Sequence, residues 1–435
     1  MNVELGFWSL GAVFLLIAWR VPIGIALGGV ALLGIAYLRN WKVSFAILGT
    51  TPFEFVAHDT LSAIPMFLLM GAIAHHSGIS RSLFKAARLW LGGIPGGLAI
   101  STNFASAGFA AASGSSVATA AAMGRIAVPE MLRAGYDKGL ATGVVASAGT
   151  LGSMIPPSIM FVLYGVFAEV SIVKLLIAGI IPGLLTAGIY ALMIYLRAII
   201  TPEIAPRMSV EERIGLKPQR WSALREIWPL LVLMAGIIGG LYSGVVTPTE
   251  AGAAGAFLAL VIAILQRRLN LSRFMACLVE AMVSTARIFF VAFSAVLYSK
   301  FLSMTGMPFW FGDLLGNLDS TLMLILATSL IFIVLGMFLD SLGLMLLTLP
   351  ILLPMFESAG LNLIWFGVLT VKFLEIGLLT PPVGFNVYVI KAAVGDKVPL
   401  EQIFKGVLWF LLCELIVVVL LVAFPQIALW LPSTM

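Results

Sequence analysis

Apolar runs long enough to cross a bilayer follow one another along almost the whole chain, and short polar or basic segments separate them. A helix needs about 20 mainly apolar residues to cross the hydrocarbon core. The first half therefore predicts spanning helices over 5–19, 22–38, 62–77 and 172–197. Two stretches between them, about 44–59 and 79–95, mix apolar and polar residues and predict amphipathic arm helices that lie on the membrane surface.

The second half repeats the first at a separation of 225 residues. Without a gap, Pro129 falls on Pro354, and the pair Pro156-Pro157 falls on Pro381-Pro382. Apolar runs coincide in the same register. This pattern predicts two structural repeats, residues 1–200 and 227–430, joined by a polar linker over 201–226.

Basic residues indicate that the two repeats have opposite orientations, because they concentrate on the cytoplasmic side of membrane proteins. The linker and its flanks carry six of them: Arg197, Arg207, Arg213, Lys217, Arg220 and Arg225. Residues 76–146 contain six basic side chains, whereas the equivalent residues 301–371 contain none. We therefore predict inverted repeats of about five spans each, with a cytoplasmic linker and both termini periplasmic. Arg39 and Lys42 would lie on the periplasmic side in this topology, which is contrary to the preference of basic residues for the cytoplasmic side.

Each repeat contains two polar interruptions within apolar sequence. The runs 97–130 and 322–355 are too polar in the middle to cross as one smooth helix, and predict re-entrant hairpins with tips at 113–116 and 336–341. The helices that follow, about 138–168 and 362–394, are broken at Pro156-Pro157 and Pro381-Pro382.

Broken helices leave backbone carbonyls unpaired, and these together with Ser and Thr hydroxyls are the hard oxygen ligands that a sodium ion needs. Helix N-termini at the same depth attract an anion. The alternative interpretation is close helix packing through small residues, with proline kinks that bind nothing. The pairing of the motifs across the repeat favours a binding site.

A few ionisable side chains lie at predicted membrane depth. Asp340 either takes part in binding or caps the half-helix that starts there. Lys372 and Glu375 lie three residues apart and are expected to pair with each other. Glu414 faces a partner protein or the neighbouring bundle, and His58, His75 and His76 are expected to be interfacial.

Composition narrows the class of protein further. Hydrophobic residues make up 61% of the 435 residues and charged residues only 10%, against about 25% in soluble domains. Cys277 and Cys413 lie in apolar runs, as buried small side chains do. Residues 5–19 lack a cleavage site and are expected to be retained as a span. No Walker loop, paired-cysteine motif or metal-ligand spacing appears, and nucleic acid is not an expected partner.

In these motifs the chain resembles the large membrane subunit of TRAP (tripartite ATP-independent periplasmic, DctM-like) transporters. The resemblance covers nearly the whole chain and rests on GSSVAT at 114–119, GSMIPPS at 152–158, TPTEAG at 247–252 and GLLTPPVGFN at 377–386. It implies a multi-pass protein of the bacterial inner membrane that works with a small four-helix membrane subunit and a periplasmic substrate-binding protein. It also implies import of an organic acid, driven by a sodium gradient through an elevator movement, with no cofactor besides Na⁺.

The resemblance further implies which residues bind ions and substrate. The mobile part would be about 97–168 and 322–394, and the rest would be the scaffold. Sodium ligands would come from two groups, Ser113, Gly114, Thr119, Gly152, Ser153 and Pro156 in the first half, and Gly336, Asp340, Gly377, Thr380 and Pro381 in the second. Substrate contacts would come from Ser115, Ser116, Asp340, Ser341 and Asn386.

Three alternative functions remain open from the sequence. They are a stand-alone sodium-coupled anion carrier of similar fold, a membrane-embedded enzyme that uses Lys372 with Glu375, and a membrane scaffold or insertion factor. The sequence leaves open the identity of the acid, the number of sodium ions, the oligomeric state and the resting conformation.

Overall fold

The structure is a computed structural model that describes residues 2–208, 217–307, 310 and 321–435. Within these ranges the chain forms α-helices and short 3₁₀ turns, and no β-strand. Arg213 of the linker and most of the segment equivalent to the second amphipathic arm lie outside the described residues.

The helices of the first half are numbered α1 to α11 in chain order. Their bounds are Val3–Ala18, Ile23–Leu38, Trp41–Val56, Ala63–His76, Ile79–Leu91, Gly97–Ser113, Ser116–Arg133, Lys138–Met154, Ile159–Phe167, Ile172–Ala178 and Ile180–Ile200. The helices that follow are α12 to α21. Their bounds are Arg220–Glu226, Trp228–Tyr242, Pro248–Leu265, Leu271–Thr305, Thr321–Gly336, Ser341–Ser358, Leu363–Leu379, Phe385–Val394, Leu400–Ala423 and Gln426–Ser433.

Helix bounds repeat at the separation that the sequence indicates. Helices α7 and α17 are 225 residues apart at both ends, and so are α8 and α18. Short polar side chains start these helices: Ser115 and Asp340 are the N-caps of α7 and α17, and Asp137 and Asn362 are those of α8 and α18. Local capping chemistry is therefore repeated along with the apolar pattern.

The two halves differ in structure at the first amphipathic arm. In the first half α3 and α4 meet at a bend of 63°, whereas the equivalent second-half residues lie in the single 35-residue helix α15. Pro52 and Pro65 lie in the bent segment, and α15 contains neither proline nor glycine. The second half consequently has a continuous rod where the first has an arm and a separate span.

Two packed bodies make up most of the chain. The frame bundle consists of α1–α4 and α13–α15, in which α14 packs on α4, and α15 packs on α2 and α4. The hairpin bundle consists of α6–α11 and α16–α21, in which α8 packs on α6, α7 and α20. The closing spans α11 and α20 thus pack with the hairpins, although they lie outside 97–168 and 322–394. Which helices form the mobile part and which the scaffold stays a prediction.

Many of these helices are apolar enough to cross a membrane. Among the described residues, five helical segments reach the necessary length and hydropathy, and up to eight do so if each bent pair is one span. Large side chains such as Trp19, Leu184 and Leu415 are exposed around the bundle, as a lipid-facing surface requires.

Candidate ion and substrate site at two hairpin tips

The first hairpin turns at Gly114 and Ser115, between α6 and α7. Gly114 adopts the left-handed conformation with φ of +62°, which a glycine tolerates without strain. The hydroxyls of Ser113 and Thr119 lie 2.7 Å apart, and Thr119 Oγ1 donates to the Ser115 carbonyl at 2.9 Å. Hydroxyl and carbonyl oxygens therefore cluster at the tip, where helix α7 begins.

The break between α8 and α9 packs directly on this tip. A Cβ added to Gly152 would lie 2.6 Å from the carbonyl carbon of Ser115 and 2.9 Å from the amide nitrogen of Ser116. The Ser158 hydroxyl donates to the Ser153 carbonyl, and the peptide bond between Pro156 and Pro157 is cis. Every residue from Gly152 to Ser158 is buried. The first tip and the first break thus form one enclosed group of polar backbone and hydroxyls.

The second half builds an equivalent contact from different side chains. Gly336 at the end of α16 and Gly377 in α18 approach so closely that a Cβ on Gly336 would lie 2.9 Å from the Gly377 Cα. Asp340 Oδ2 accepts from the Gly343 amide at 3.1 Å, so the capping role weighed for Asp340 is present. The hydroxyl of Ser341 is buried with no hydrogen-bond partner among the described residues. Within the described ranges, this hydroxyl is therefore an unpaired polar group at the second tip.

The two tips differ in exposure. Phe338 is 61% exposed, and Pro381 and Pro382 are exposed, whereas Pro156 and Pro157 are buried. Thr380 donates its hydroxyl to the Ile376 carbonyl at 2.6 Å. In this conformation the second break is therefore the more accessible one.

Asn386 connects the second break to the first half. It is fully buried at the start of α19 and donates from Nδ2 to the Ala146 carbonyl of α8 at 3.3 Å. Its Oδ1 has no hydrogen-bond partner among the described residues. The other halves of the two broken helices also meet, since Tyr164 of α9 donates to the Leu363 carbonyl of α18 at 2.7 Å.

A buried charged cluster, which the sequence identified only in part, lies behind the second break. Lys372 Nζ is 3.3 Å from Glu375 Oε2 and 2.7 Å from Glu414 Oε2, and all three side chains are buried. Lys372 also donates to the Thr186 hydroxyl at 3.1 Å. Tyr190 donates to Glu414. The expected pair of Lys372 with Glu375 is confirmed, and Glu414 faces this lysine rather than a partner protein.

The base of the first hairpin, at the end of α7 away from the tip, is held by two side-chain contacts. Tyr136 follows α7 and accepts a hydrogen bond from the Leu98 amide at 3.1 Å. Burial raises the pKa of Tyr136, so the phenol stays neutral at physiological pH. Arg88 of the arm α5 pairs with Glu130 of α7 at 3.0 Å. These contacts attach the hairpin to its own loop and to the arm.

Several proteins of similar sequence are named as transporter subunits. The chain is 38% identical over 384 residues, 88% of each chain, to the C4-dicarboxylate TRAP transporter large permease protein DctM of Pseudomonas aeruginosa. It is 33% identical over 422 residues, 95% of each chain, to the sialic acid TRAP transporter large permease protein SiaM of Vibrio cholerae. It is 34% identical to the isethionate TRAP transporter permease protein DctMQ of Oleidesulfovibrio alaskensis, covering 96% of this chain and 65% of that one.

The fold has a solved counterpart, and the family is shown by sequence. The crystal structure of the Alcanivorax borkumensis YdaH transporter matches with a TM-score of 0.62 at 16% identity, over 88% of this chain and 90% of that one, a likeness of fold alone. The model of the tripartite ATP-independent periplasmic transporter DctM component matches residues 10–427. The chain therefore belongs to the DctM family of TRAP transporter permeases, and is a multi-pass inner-membrane transport subunit rather than an enzyme.

Proposed function

We propose that this chain is the permease subunit that carries an organic anion across the inner membrane, coupled to a sodium gradient. The substrates named for its relatives, C4-dicarboxylates, sialic acid and isethionate, are all organic anions. The proposed class for this chain is the organic acids, of C4-dicarboxylate, sialic acid or sugar-acid type.

One feature of the molecule supports the proposal above all others: each hairpin tip packs on the break of the following helix in its own half. Sodium is proposed to bind among the oxygens of Ser113, Thr119 and the first break, and again near Asp340 and Thr380. The anion is proposed to contact Ser115, Ser116, Ser341 and Asn386, with the helix N-termini behind them.

The movement is proposed to be an elevator, in which the hairpin bundle slides against the frame bundle. The closing spans α11 and α20 would travel with the hairpins, because they pack on α8 and on each other. The two repeats are proposed to be inverted, with the linker cytoplasmic and both termini periplasmic.

Two further proteins are proposed as partners: a small four-helix membrane subunit and a periplasmic binding protein that delivers the anion. This chain covers 65% of DctMQ and 66% of SiaT, a sialic acid TRAP transporter permease protein of Haemophilus influenzae. The remaining third of those relatives has room for a fused small subunit.

The test is uptake into proteoliposomes that contain this chain and the small subunit, with the binding protein added outside. Radiolabelled succinate and sialic acid are offered under an inward sodium gradient. We expect uptake of one of these anions, and its loss when sodium, the small subunit or the binding protein is left out. Robust sodium-driven uptake by this chain alone would favour the stand-alone carrier, and uptake indifferent to sodium would refute the coupling.

Ser115→Ala tests the tip itself. Removing its oxygen should lower uptake at limiting concentrations of the anion on the order of tenfold, the value of one hydrogen bond to a charged group. Ser171→Ala is the matched control, because Ser171 is also a helix N-cap, with its oxygen 3.3 Å from the Lys174 amide, but begins α10 away from both tips. Equal loss in both variants would mean that capping, not binding, explains the effect.

A further inference from the structure

A cavity of about 620 Å³ lies at the seam between the first hairpin and the frame, away from both tips. Its walls come from α7 of the hairpin, the arm α5, the end of α4 and the start of α15. Five basic side chains line it: Arg81, Lys85, Arg125, Arg268 and Arg273. Glu226 is the one acid among the lining residues.

The positive charge is only partly compensated. Glu226 pairs with Lys85 at 2.8 Å, and Arg268 donates to the Ser77 carbonyl at 3.3 Å and the Ser82 hydroxyl at 3.4 Å. In the part of the chain that the structure describes, Arg81 and Arg125 are exposed and have neither an ion pair nor a hydrogen bond. A cleft lined by one sign of charge with apolar surroundings concentrates counter-ions.

One face of α7 leads from the hairpin tip to this cavity. Ser115, Ala118, Ala122 and Arg125 follow at spacings of three and four residues, which places them on the same side of the helix. Ala118 is exposed, and Ala122 lines the cavity. Arg125 lies nine positions after Ser116, about 13 Å along the helix axis. The cavity is therefore a separate place from the tip, connected to it by a surface of small side chains.

We propose that this cavity binds a carboxylate or phosphate anion, held between Arg125 of the hairpin and Arg81 of the arm. The planar guanidinium of arginine can donate two parallel hydrogen bonds, which matches the oxygen geometry of a carboxylate or a phosphate. The transported organic acid on its way from the tip and the headgroup of an anionic lipid share this chemistry. That the transported acid is the occupant rests on the proposed function, whereas the anion site itself does not.

Direct binding tests the site without transport. The chain, assembled with the small subunit, is placed in nanodiscs of phosphatidylcholine alone, and binding of radiolabelled inorganic phosphate is measured without sodium. We expect saturable binding that succinate displaces. Arg81→Gln combined with Arg125→Gln should weaken it at least tenfold, because two charged hydrogen bonds are lost.

The control separates the site from general charge. Arg39→Gln removes one positive charge from an exposed position outside the cavity and should leave phosphate binding unchanged. In nanodiscs that contain phosphatidylglycerol, a lipid occupant would block phosphate binding and would be retained by the wild type but not by the double variant in native mass spectrometry. Succinate displacement that persists in those nanodiscs would identify the transported acid.

The proposal is overturned if phosphate does not bind saturably and no lipid is retained, or if the double variant binds as well as the wild type. A thermal melt of the double variant that matches the wild type ensures that lost binding is not lost folding. Failure of uptake in the proteoliposome experiment with intact phosphate binding would refute the proposed transport while leaving this site in place.

Discussion

At the scale of single residues, Lys372 carries a buried positive charge that side chains on neighbouring helices compensate. It lies at 0% exposure and contacts two carboxylates and one hydroxyl that come from α18, α20 and α11. A buried ion pair adds little over an apolar replacement, but an uncompensated buried charge is expensive. The cluster is therefore expected to fix how three helices meet, since any change in their register would separate the charges.

Glu414→Ala should destabilise the protein by about 1–3 kcal/mol, because it removes one of the two carboxylates that bind Lys372 and leaves the buried Tyr190 hydroxyl with no acceptor. The measurement is thermal unfolding of the purified complex, followed by tryptophan fluorescence. Glu401→Ala is the matched control, since Glu401 lies on the same helix and pairs with Lys405 at 2.7 Å, but at the surface. It should melt like the wild type. Recovery of stability in Lys372→Met/Glu375→Leu/Glu414→Leu would attribute the loss to the buried polar groups that Glu414→Ala leaves without a partner.

Asp340 combines a structural and a proposed binding role, and two substitutions separate them. Asp340→Asn keeps a side-chain oxygen for the Gly343 amide and should leave stability unchanged, while Asp340→Ala should cost about 1 kcal/mol through the lost cap. If the carboxylate also binds sodium, both variants should raise the sodium concentration for half-maximal uptake several-fold. Unchanged sodium dependence in Asp340→Asn would leave capping as the whole role.

At the scale of elements, the close contact of each hairpin with its broken helix depends on glycine. Gly336 and Gly377 bring α16 and α18 together with no side chain between them, and Gly152 does the same for α8 and the first tip. Any Cβ at these positions would separate the backbones whose oxygens form the proposed sites. Packing and binding are therefore requirements on the same residues, so the packing interpretation and the binding interpretation of these motifs are compatible.

Gly377→Ala should push α16 away from α18, since its new Cβ would lie 2.8 Å from the Gly336 Cα. Overpacking of this kind costs about 1–3 kcal/mol, and we expect a lower melting temperature together with loss of sodium-dependent uptake. Gly239→Ala in α13 has open space around the added carbon and should be neutral or slightly stabilising. Normal uptake by Gly377→Ala would show that the close contact is not needed for transport.

The elements differ in how well the sequence predicts them. Tips at 113–116 and 336–341 agree with the observed turns, because the N-caps Ser115 and Asp340 act locally. The continuity of α15 was not predicted, because the repeat implied an arm there and continuity follows from the absence of helix breakers. The partner of Glu414 was not predictable either, since Lys372 is 42 residues away and the contact depends on helix packing.

At the scale of the whole molecule, an elevator movement would have to break the contacts between the frame bundle and the hairpin bundle. One of these is an aromatic pair. Phe55 of α3 lies 6.1 Å, between ring centroids, from Phe167 at the end of α9, so this pair joins the two bundles. The same Phe55 lies 6.1 Å from Phe289 of α15, within the frame. The two pairs thus share one residue and one centroid separation, but only the first of them joins the two bundles.

Cross-linking these pairs tests the elevator. In a background where Cys277 and Cys413 are replaced by alanine, Phe55→Cys/Phe167→Cys is bridged with a short bifunctional thiosulfonate reagent in proteoliposomes. We expect uptake to stop and to return on reduction, because the hairpin bundle is then held against the frame. Phe55→Cys/Phe289→Cys also loses two rings, one of them the same Phe55, and its bridge should leave uptake at the level of the unbridged variant. Full uptake with the 55–167 bridge in place would exclude a rigid-body slide along this seam, and would require the substrate to cross by movements within the hairpin bundle alone.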